Sequence, residues 1–321
     1  MTRRLGVIMD PVDHIKGHKD TTVGLLREAQ KRGYEIDYME VNDLELRNQD
    51  LRAYAQPLAV QASDQAWYRL GAAREIAIHD LDVILMRKDP PFNMNFIYTT
   101  YLLEHAERAG VLVVNKPASL RDANEKLFAT WFPECTPPTL VTCRQAALQT
   151  FLDQHRDIVV KPLDGMGGAS IFRVTQDDPN RSVIFETITD HEQRFMMAQR
   201  YLPAIREGDK RILMIDGESV PYAVARIPAP GETRGNLAAG GRAVPQPLSE
   251  SDQRICAIVG PVLRDKGLLF VGLDVIGDAL TEINVTSPTG MRELEAAGHQ
   301  DIAGRLFDAI ERRIGGLSQR L

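Results

Sequence analysis

Residues 270–288 read FVGLDVIGDALTEINVTSP, and the way this stretch pairs with itself decides how the rest of the chain is read. Two apolar-rich runs, 270–276 and 280–285, flank Gly277-Asp278-Ala279, the composition of a β-hairpin. Glu282 and Asn284 are two residues apart and so leave one face of their strand. A three-residue loop pairs Ile276 with Leu280, sets Asp274 opposite Glu282, and gathers Val271, Leu273, Val275, Ile283 and Val285 on the other face. A two-residue loop scatters both sets, and a one-residue slip exposes half of the apolar residues, so the odd loop is predicted. Asp274, Glu282 and Asn284 then offer hard oxygens from one face, with Ile276 and Leu280 beside them. Such oxygens suit magnesium shared with nucleotide phosphates. A solvated polar sheet face is the plainer alternative, but two carboxylates and an amide in one cluster favour the metal.

Upstream, residues 158–174 read IVVKPLDGMGGASIFRV: Lys161 ends an apolar strand and Gly165, Gly167 and Gly168 follow. Glycines let backbone N–H groups converge on a phosphate. The lysine precedes the glycines and a strand follows them, so this is not a Walker loop. No GxGxxG follows the first strand, which excludes a dinucleotide fingerprint. The segment fits a hairpin lid over a triphosphate, or equally a glycine-rich turn with a solvated lysine. Residues 229–245, APGETRGNLAAGGRAVP, form a second glycine-rich segment carrying Arg234 and Arg242, with Arg226 just before it. It reads as an exposed loop or as a lid that would keep water from a labile intermediate. Asp209, Lys210 and Arg211 precede a hairpin expected to turn at Asp216-Gly217.

The N-terminal part alternates strands and helices. Strands are expected at 5–10, 35–41, 81–87 and 111–115, with a helix opened by Asp20-Thr21-Thr22 and stopped at Gly33. This order implies a parallel sheet covered by helices. Arg87 and Asp89 then lie at the carboxyl end of a parallel strand, where open α/β sheets bind ligands, although a charged loop explains them as well. Ser119 is read as the cap of a helix over 119–132, on which periodicity leaves Lys126 indistinguishable from a solvated lysine. Residues 42–80 show no clear pattern. A boundary is placed near residue 120: residues 1–120 form a Rossmann-like domain, and 121–321 a mixed unit with a central part at about 136–202 and a C-terminal part at about 203–321. The last helix is expected over roughly 292–313. The fold class is α/β, with an α+β C-terminal half.

Composition excludes several functions. The 38 basic and 44 acidic residues leave a net charge of −6, which argues against a nucleic-acid partner. No apolar run approaches the ~20 residues of a membrane helix. Cys135, Cys143 and Cys256 are odd in number and lack ligand spacing, so a reducing cytoplasm is expected. No Ser-His-Asp or Cys-His arrangement stands out.

Taken in order, KPLDGMGGASIF, RIPAPGETRGNLAAGGR and GLDVIGDALTEINVTSPTG closely resemble bacterial glutathione synthetases of the ATP-grasp superfamily. LDVILMRKDPPF, VNKPASLRDANEKLF and MAQRYLPAIREGDKR match the same family. The resemblance runs from the first strand to about residue 295. It implies a homotetramer that uses ATP with magnesium, or manganese, and joins γ-glutamylcysteine to glycine. By the same resemblance Lys126 and Lys161, with Gly165, Gly167 and Gly168, hold ATP phosphates; Gln199, Tyr201 and Leu202 line the adenine; and Asp209 helps to hold the nucleotide. Asp274, Glu282 and Asn284 correspond to magnesium ligands. Arg211, Arg226 and Arg234 face the reacting carboxylate and phosphate, and Arg87 and Asp89 help to place the peptide. Other ATP-grasp ligases, such as D-alanine:D-alanine ligases, and a non-catalytic nucleotide-binding regulator are the rival readings; the complete carboxylate set favours an enzyme.

Overall fold

A computed structural model describes residues 2–165, 167–229, 241–298 and 301–318. Arg234 and most of the second glycine-rich segment lie outside the described residues. The strands Glu35–Met39, Arg4–Met9, Val83–Arg87 and Leu112–Val114 pair in that order, all parallel. Helices Thr21–Lys31 and Met94–Arg108 make the crossovers. Asp20 caps the first helix by accepting from the backbone N–H of Val23 at 3.1 Å. Residues 42–80, which showed no pattern, extend the same sheet through the long antiparallel strand Asp50–Val60 and its partners Leu44–Arg47, Tyr68–Leu70 and Arg74–Ala77. Short strands with Pro57 in the middle of the longest one obscured that alternation.

The two remaining sheets are antiparallel. One has the order Phe172–Thr175, Asp157–Pro162, Met196–Arg200, Thr139–Thr142. The other has the order Arg242–Pro247, Glu218–Ile227, Asp209–Ile215, Phe270–Ile276, Ala279–Asn284. Its first hairpin turns at Asp216-Gly217, both at positive φ (52° and 78°), as a tight two-residue turn requires.

The sheet bearing the glycine loop has its own core of Leu148, Ile158, Val160, Met196 and neighbours. The first and last sheets instead share two cores. In one, Ile8, Met86 and Val113 pack with Leu273 and Ile283; in the other, Leu5 and Leu26 pack with Phe270 and Phe307.

Three expectations are corrected. The 119–132 helix is two pieces, Pro117–Asp122 and a 3-10 turn Phe128–Trp131. Ser119 lies inside the first piece, where its hydroxyl donates to the Lys266 carbonyl at 2.5 Å instead of capping. The C-terminal helix is likewise divided into Met291–Ala296 and Ile302–Ser318. The hairpin 270–285 sets Asp274 opposite Glu282, but not by a three-residue loop. Ile276 pairs with Ala279 and Val275 with Leu280, around a two-residue turn, and a bulge between Asp274 and Val275 restores the register. The extra residue is Thr281, whose hydroxyl donates to the Asp274 carbonyl at 3.1 Å. Leu280 therefore turns into the core with no exposure, and not to the polar face.

Candidate functional site

A cavity of about 350 Å³ lies between the two antiparallel sheets. Its floor is made by alternation along three adjacent strands. On Asp209–Ile215, Asp209 and Arg211 face it, whereas Lys210 points to the opposite side and pairs with Asp252 at 2.5 Å. Across the sheet, Arg211 registers with both Asp274 and Val224, and Asp209 with Arg226. The result is a buried charge cluster. Arg211 grips both oxygens of Asp274, at 2.5 and 3.1 Å, and Arg226 Nη2 reaches Asp274 Oδ2 at 2.8 Å while also pairing with Asp209. Gly272 and Gly290 make room for the Arg211 stem: a Cβ on Gly272 would stand 2.7 Å from its Cδ, and one on Gly290 3.2 Å from its Cγ.

The two carboxylates respond differently. Burial opposes charge on both, but the two arginines hold Asp274 well below the usual carboxylate range. Burial pushes Asp209 up to about 6, opposed by Arg226 and reinforced by the charge of Asp274. Asp209 Oδ1 and Arg226 Nε are buried without a hydrogen-bond partner, so the cluster keeps one acceptor and one donor uncommitted.

Above the floor, Lys161 is 7% exposed and donates to the Thr281 carbonyl at 3.2 Å. Burial lowers its pKa to about 8, against the pull of Glu282. Lys126, on the irregular stretch between the two helical pieces, is 4% exposed and reaches Gly165 O at 2.7 Å and Glu282 Oε1 at 2.9 Å. It is not a solvated helix lysine. Gly165, Gly167 and Gly168 line the mouth. Gln199, Tyr201 and Leu202 line the far wall, where the Gln199 amide donates to the Thr139 hydroxyl at 3.0 Å. The Arg173 guanidinium lies 3.8 Å from the Tyr201 ring centroid and pairs with Asp157 at 3.0 and 2.7 Å.

Thus every described residue to which the resemblance gave a site role lines this cavity except Arg87, whereas Lys210 and Arg242, noted for their charge, do not line it. Arg87 is 6% exposed and holds Thr22 Oγ1 at 3.1 Å and the Pro288 carbonyl at 2.9 Å, so it touches the site only through the 286–290 segment. Asp89 lines the cavity, and burial raises its pKa. Asn124, Glu125, Arg173 and Thr286 were missed. Only Asn124 carried a signal, as a turn-capping residue type in the middle of an assumed helix.

Asp274, Glu282 and Asn284 share one face, and the Asn284 amide nitrogen is spent on the Gly272 carbonyl at 3.1 Å, which leaves its oxygen for a ligand. No group of three or more His, Cys, Asp or Glu forms a metal cage among the described residues. A cation here would therefore depend on further oxygens from a substrate, the usual state of nucleotide-bound magnesium.

A family model described as prokaryotic glutathione synthetase, N-terminal domain, matches residues 4–121, and one described as prokaryotic glutathione synthetase, ATP-grasp domain, matches residues 125–299. A glutathione synthetase of Salmonella typhimurium is 60% identical over 311 residues, 97% of this chain and 99% of that protein. One of Yersinia pestis is 60% identical over 312 residues, with 97% and 98% covered. Among solved structures, a D-cycloserine synthetase superposes with a TM-score of 0.67 at 15% identity, covering 97% of this chain and 99% of that one. D-alanyl-alanine synthetase A from Vibrio cholerae superposes with a TM-score of 0.58 at 12% identity, covering 98% and 99%. The architecture is the ATP-grasp fold, and the chain belongs to the prokaryotic glutathione synthetase family.

Proposed function

We propose that the cavity performs an ATP-dependent ligation in which glycine is joined to γ-glutamylcysteine through an acyl phosphate. The chain is an ATP-dependent ligase of glutathione synthesis acting on small molecules. The observation that supports this assignment of the cavity is the convergence of Lys126 and Lys161 with Asp274, Glu282 and Asn284 beneath the glycine loop. In the first step, the cysteinyl carboxylate attacks the γ-phosphorus and ADP leaves. In the second, the glycine amine attacks the acyl carbon and phosphate departs as the amide forms. No side-chain nucleophile is needed, so the protein's contribution is positioning and charge neutralisation.

Lys126 and Lys161 hold the phosphates, and Gly165, Gly167 and Gly168 allow backbone N–H groups to approach them. Gln199, Tyr201 and Leu202 seat the base, and Asp209 uses its uncommitted oxygen toward the nucleotide. Arg211 and Arg226 face the transferring phosphoryl group and the carboxylate; Arg226 retains a free Nε for this. Arg234 is assigned the same role from sequence alone. Asp89 contacts the peptide, while Arg87 sets the 286–290 segment. Magnesium, or manganese, would be held by Asp274, Glu282 and Asn284 and would supply charge neutralisation at the phosphate oxygens. The part over 136–202 serves as lid to the part over 203–321, and 1–120 supplies the peptide side. Assembly as a homotetramer in the cytoplasm completes the reading. No described helix is long and apolar enough to cross a membrane.

The test is ADP release measured with γ-glutamylcysteine plus glycine and with each omitted in turn. Full turnover should need both, and omission of the peptide should abolish it. Equal turnover with D-alanine as sole amino acid would remove the assignment.

A further inference from the structure

The break in the expected 119–132 helix leaves residues 123–127 irregular, and that stretch makes contacts in two directions. Toward the glycine loop, Asn124 Nδ2 donates to the Leu163 carbonyl at 3.1 Å, and Lys126 Nζ to the Gly165 carbonyl at 2.7 Å. Toward the carboxylate strand, the Glu125 carbonyl accepts from the Ile283 N–H at 2.8 Å. A single Glu125 oxygen, Oε1, accepts from Val285 N at 2.8 Å, Thr286 N at 3.0 Å and Thr286 Oγ1 at 2.9 Å. Lys126 Nζ completes this side on Glu282 at 2.9 Å. Three consecutive residues therefore hold both walls of the cavity. The glycine-loop sheet has a core of its own, so its loop is located relative to the catalytic sheet largely by polar contacts of this kind, with Lys161 on the Thr281 carbonyl as another.

We propose that Asn124-Glu125-Lys126 is a clip that sets the spacing between the phosphate loop and the carboxylate strand, with Asn124 and Glu125 as positioning residues for nucleotide binding. The proposal rests on the reading of the cavity as the nucleotide site. Asparagine is the residue type this requires. Its Oδ1 accepts from Lys126 N at 3.2 Å and Leu127 N at 3.0 Å, closing the local turn, while its Nδ2 reaches across to the loop. Aspartate keeps the first function and lacks the second, and it would set a carboxylate oxygen against the Leu163 carbonyl. Alanine lacks both. An uncoupled loop also leaves the lysines without a fixed distance to the carboxylates, so the loss falls on nucleotide affinity before it falls on turnover at saturation.

The test compares full-length Asn124→Asp and Asn124→Ala with the wild type. It measures the Kd of a non-hydrolysable ATP analogue with magnesium by calorimetry, together with Tm, KM for ATP and kcat. Asn124→Asp should keep a near-wild-type Tm while Kd and KM rise about tenfold, the scale of one lost half-buried hydrogen bond plus a repulsive contact, and kcat should change less than KM. Asn124→Ala should show the same rise with a lower Tm. A wild-type Kd in Asn124→Asp, whatever the alanine variant does, reduces Asn124 to a turn cap and overturns the clip. Should Asn124→Asp fail to fold, Glu125→Ala, which removes the oxygen that accepts from Val285 and Thr286, tests the other arm: a weaker Kd there, in a folded protein, supports the clip and an unchanged Kd overturns it. Wild-type protein that binds no analogue would instead refute the nucleotide reading, a distinguishable failure.

Discussion

Lys161 shows how position converts an ordinary residue into a candidate site residue. Its sequence context, an apolar strand ending before glycines, marks it as a candidate; its titration is set by burial. With a folded pKa of about 8 against an ordinary 10.5, the folded protein binds less proton than the unfolded chain between those values. Stability therefore rises with pH across that window, and below it the cost of burying the charged amine is present in full. A triphosphate beside Lys161 reverses the shift by stabilising the ammonium. ATP-analogue binding should accordingly take up a substantial fraction of a proton at about pH 9 and little near neutrality, and Lys161→Arg should abolish the uptake, because arginine stays charged. Calorimetry in two buffers of different ionisation enthalpy measures this; uptake that is unchanged in the arginine variant would assign the proton elsewhere. Residue types were legible here because lysines, carboxylates and glycines have few chemical uses in combination. Their partners were not: nothing in the spacing shows that Arg211 and Arg226 converge on Asp274, since that follows from the register of three strands.

At the level of the element, the hairpin 270–285 places its carboxylates opposite each other by a different route from the predicted loop. The core demanded that Leu273, Val275, Ile283 and Val285 face inward, and the tight turn at Gly277-Asp278 was also available. One bulged residue satisfies both demands, and bulges characteristically re-aim side chains next to sites. The bulge places Leu280 in the core and leaves Ile276 on the cavity side, half-buried. Leu280→Ala should then cost about 2–5 kcal/mol in denaturant unfolding, the range of a buried leucine truncation, and Ile276→Ala clearly less. Equal costs would argue for the three-residue loop. The broken 119–132 helix teaches the same lesson. Its apolar spacing suits a helix, but the side-chain acceptor of Asn124 and the carbonyls of Leu163 and Gly165 offered that stretch competing partners.

For the whole molecule, the division of cores matters more than the division of sequence. Two family models meet between residues 121 and 125, yet the first and last sheets share both of their cores, and only the glycine-loop sheet has its own. Elements that share a core open together, and a separately packed unit can open by itself. In native-state hydrogen exchange, amides of Arg4–Met9 and Phe270–Ile276 should lose protection at one denaturant concentration, and those of Asp157–Pro162 and Met196–Arg200 at a lower one. Simultaneous loss everywhere would refute independent opening of the glycine-loop sheet. A separately packed sheet able to open without unfolding the rest would suit an ATP-dependent ligase, which must admit its nucleotide.

By itself, the amino-acid sequence determined the alternation of strand and helix in residues 5–41 and 81–115, the hairpin with its two carboxylates, and the lysine–glycine order of the loop, because side-chain periodicity and backbone permissiveness are local properties. Tertiary structure alone decided the bulge at Thr281, the fate of residues 42–80, the break that frees Asn124 and Glu125, and the arginine pairing that keeps Asp274 ionised. Each of these depends on hydrogen-bond partners or low-dielectric surroundings supplied by residues far away in the chain, and such free energies leave no mark on neighbouring positions.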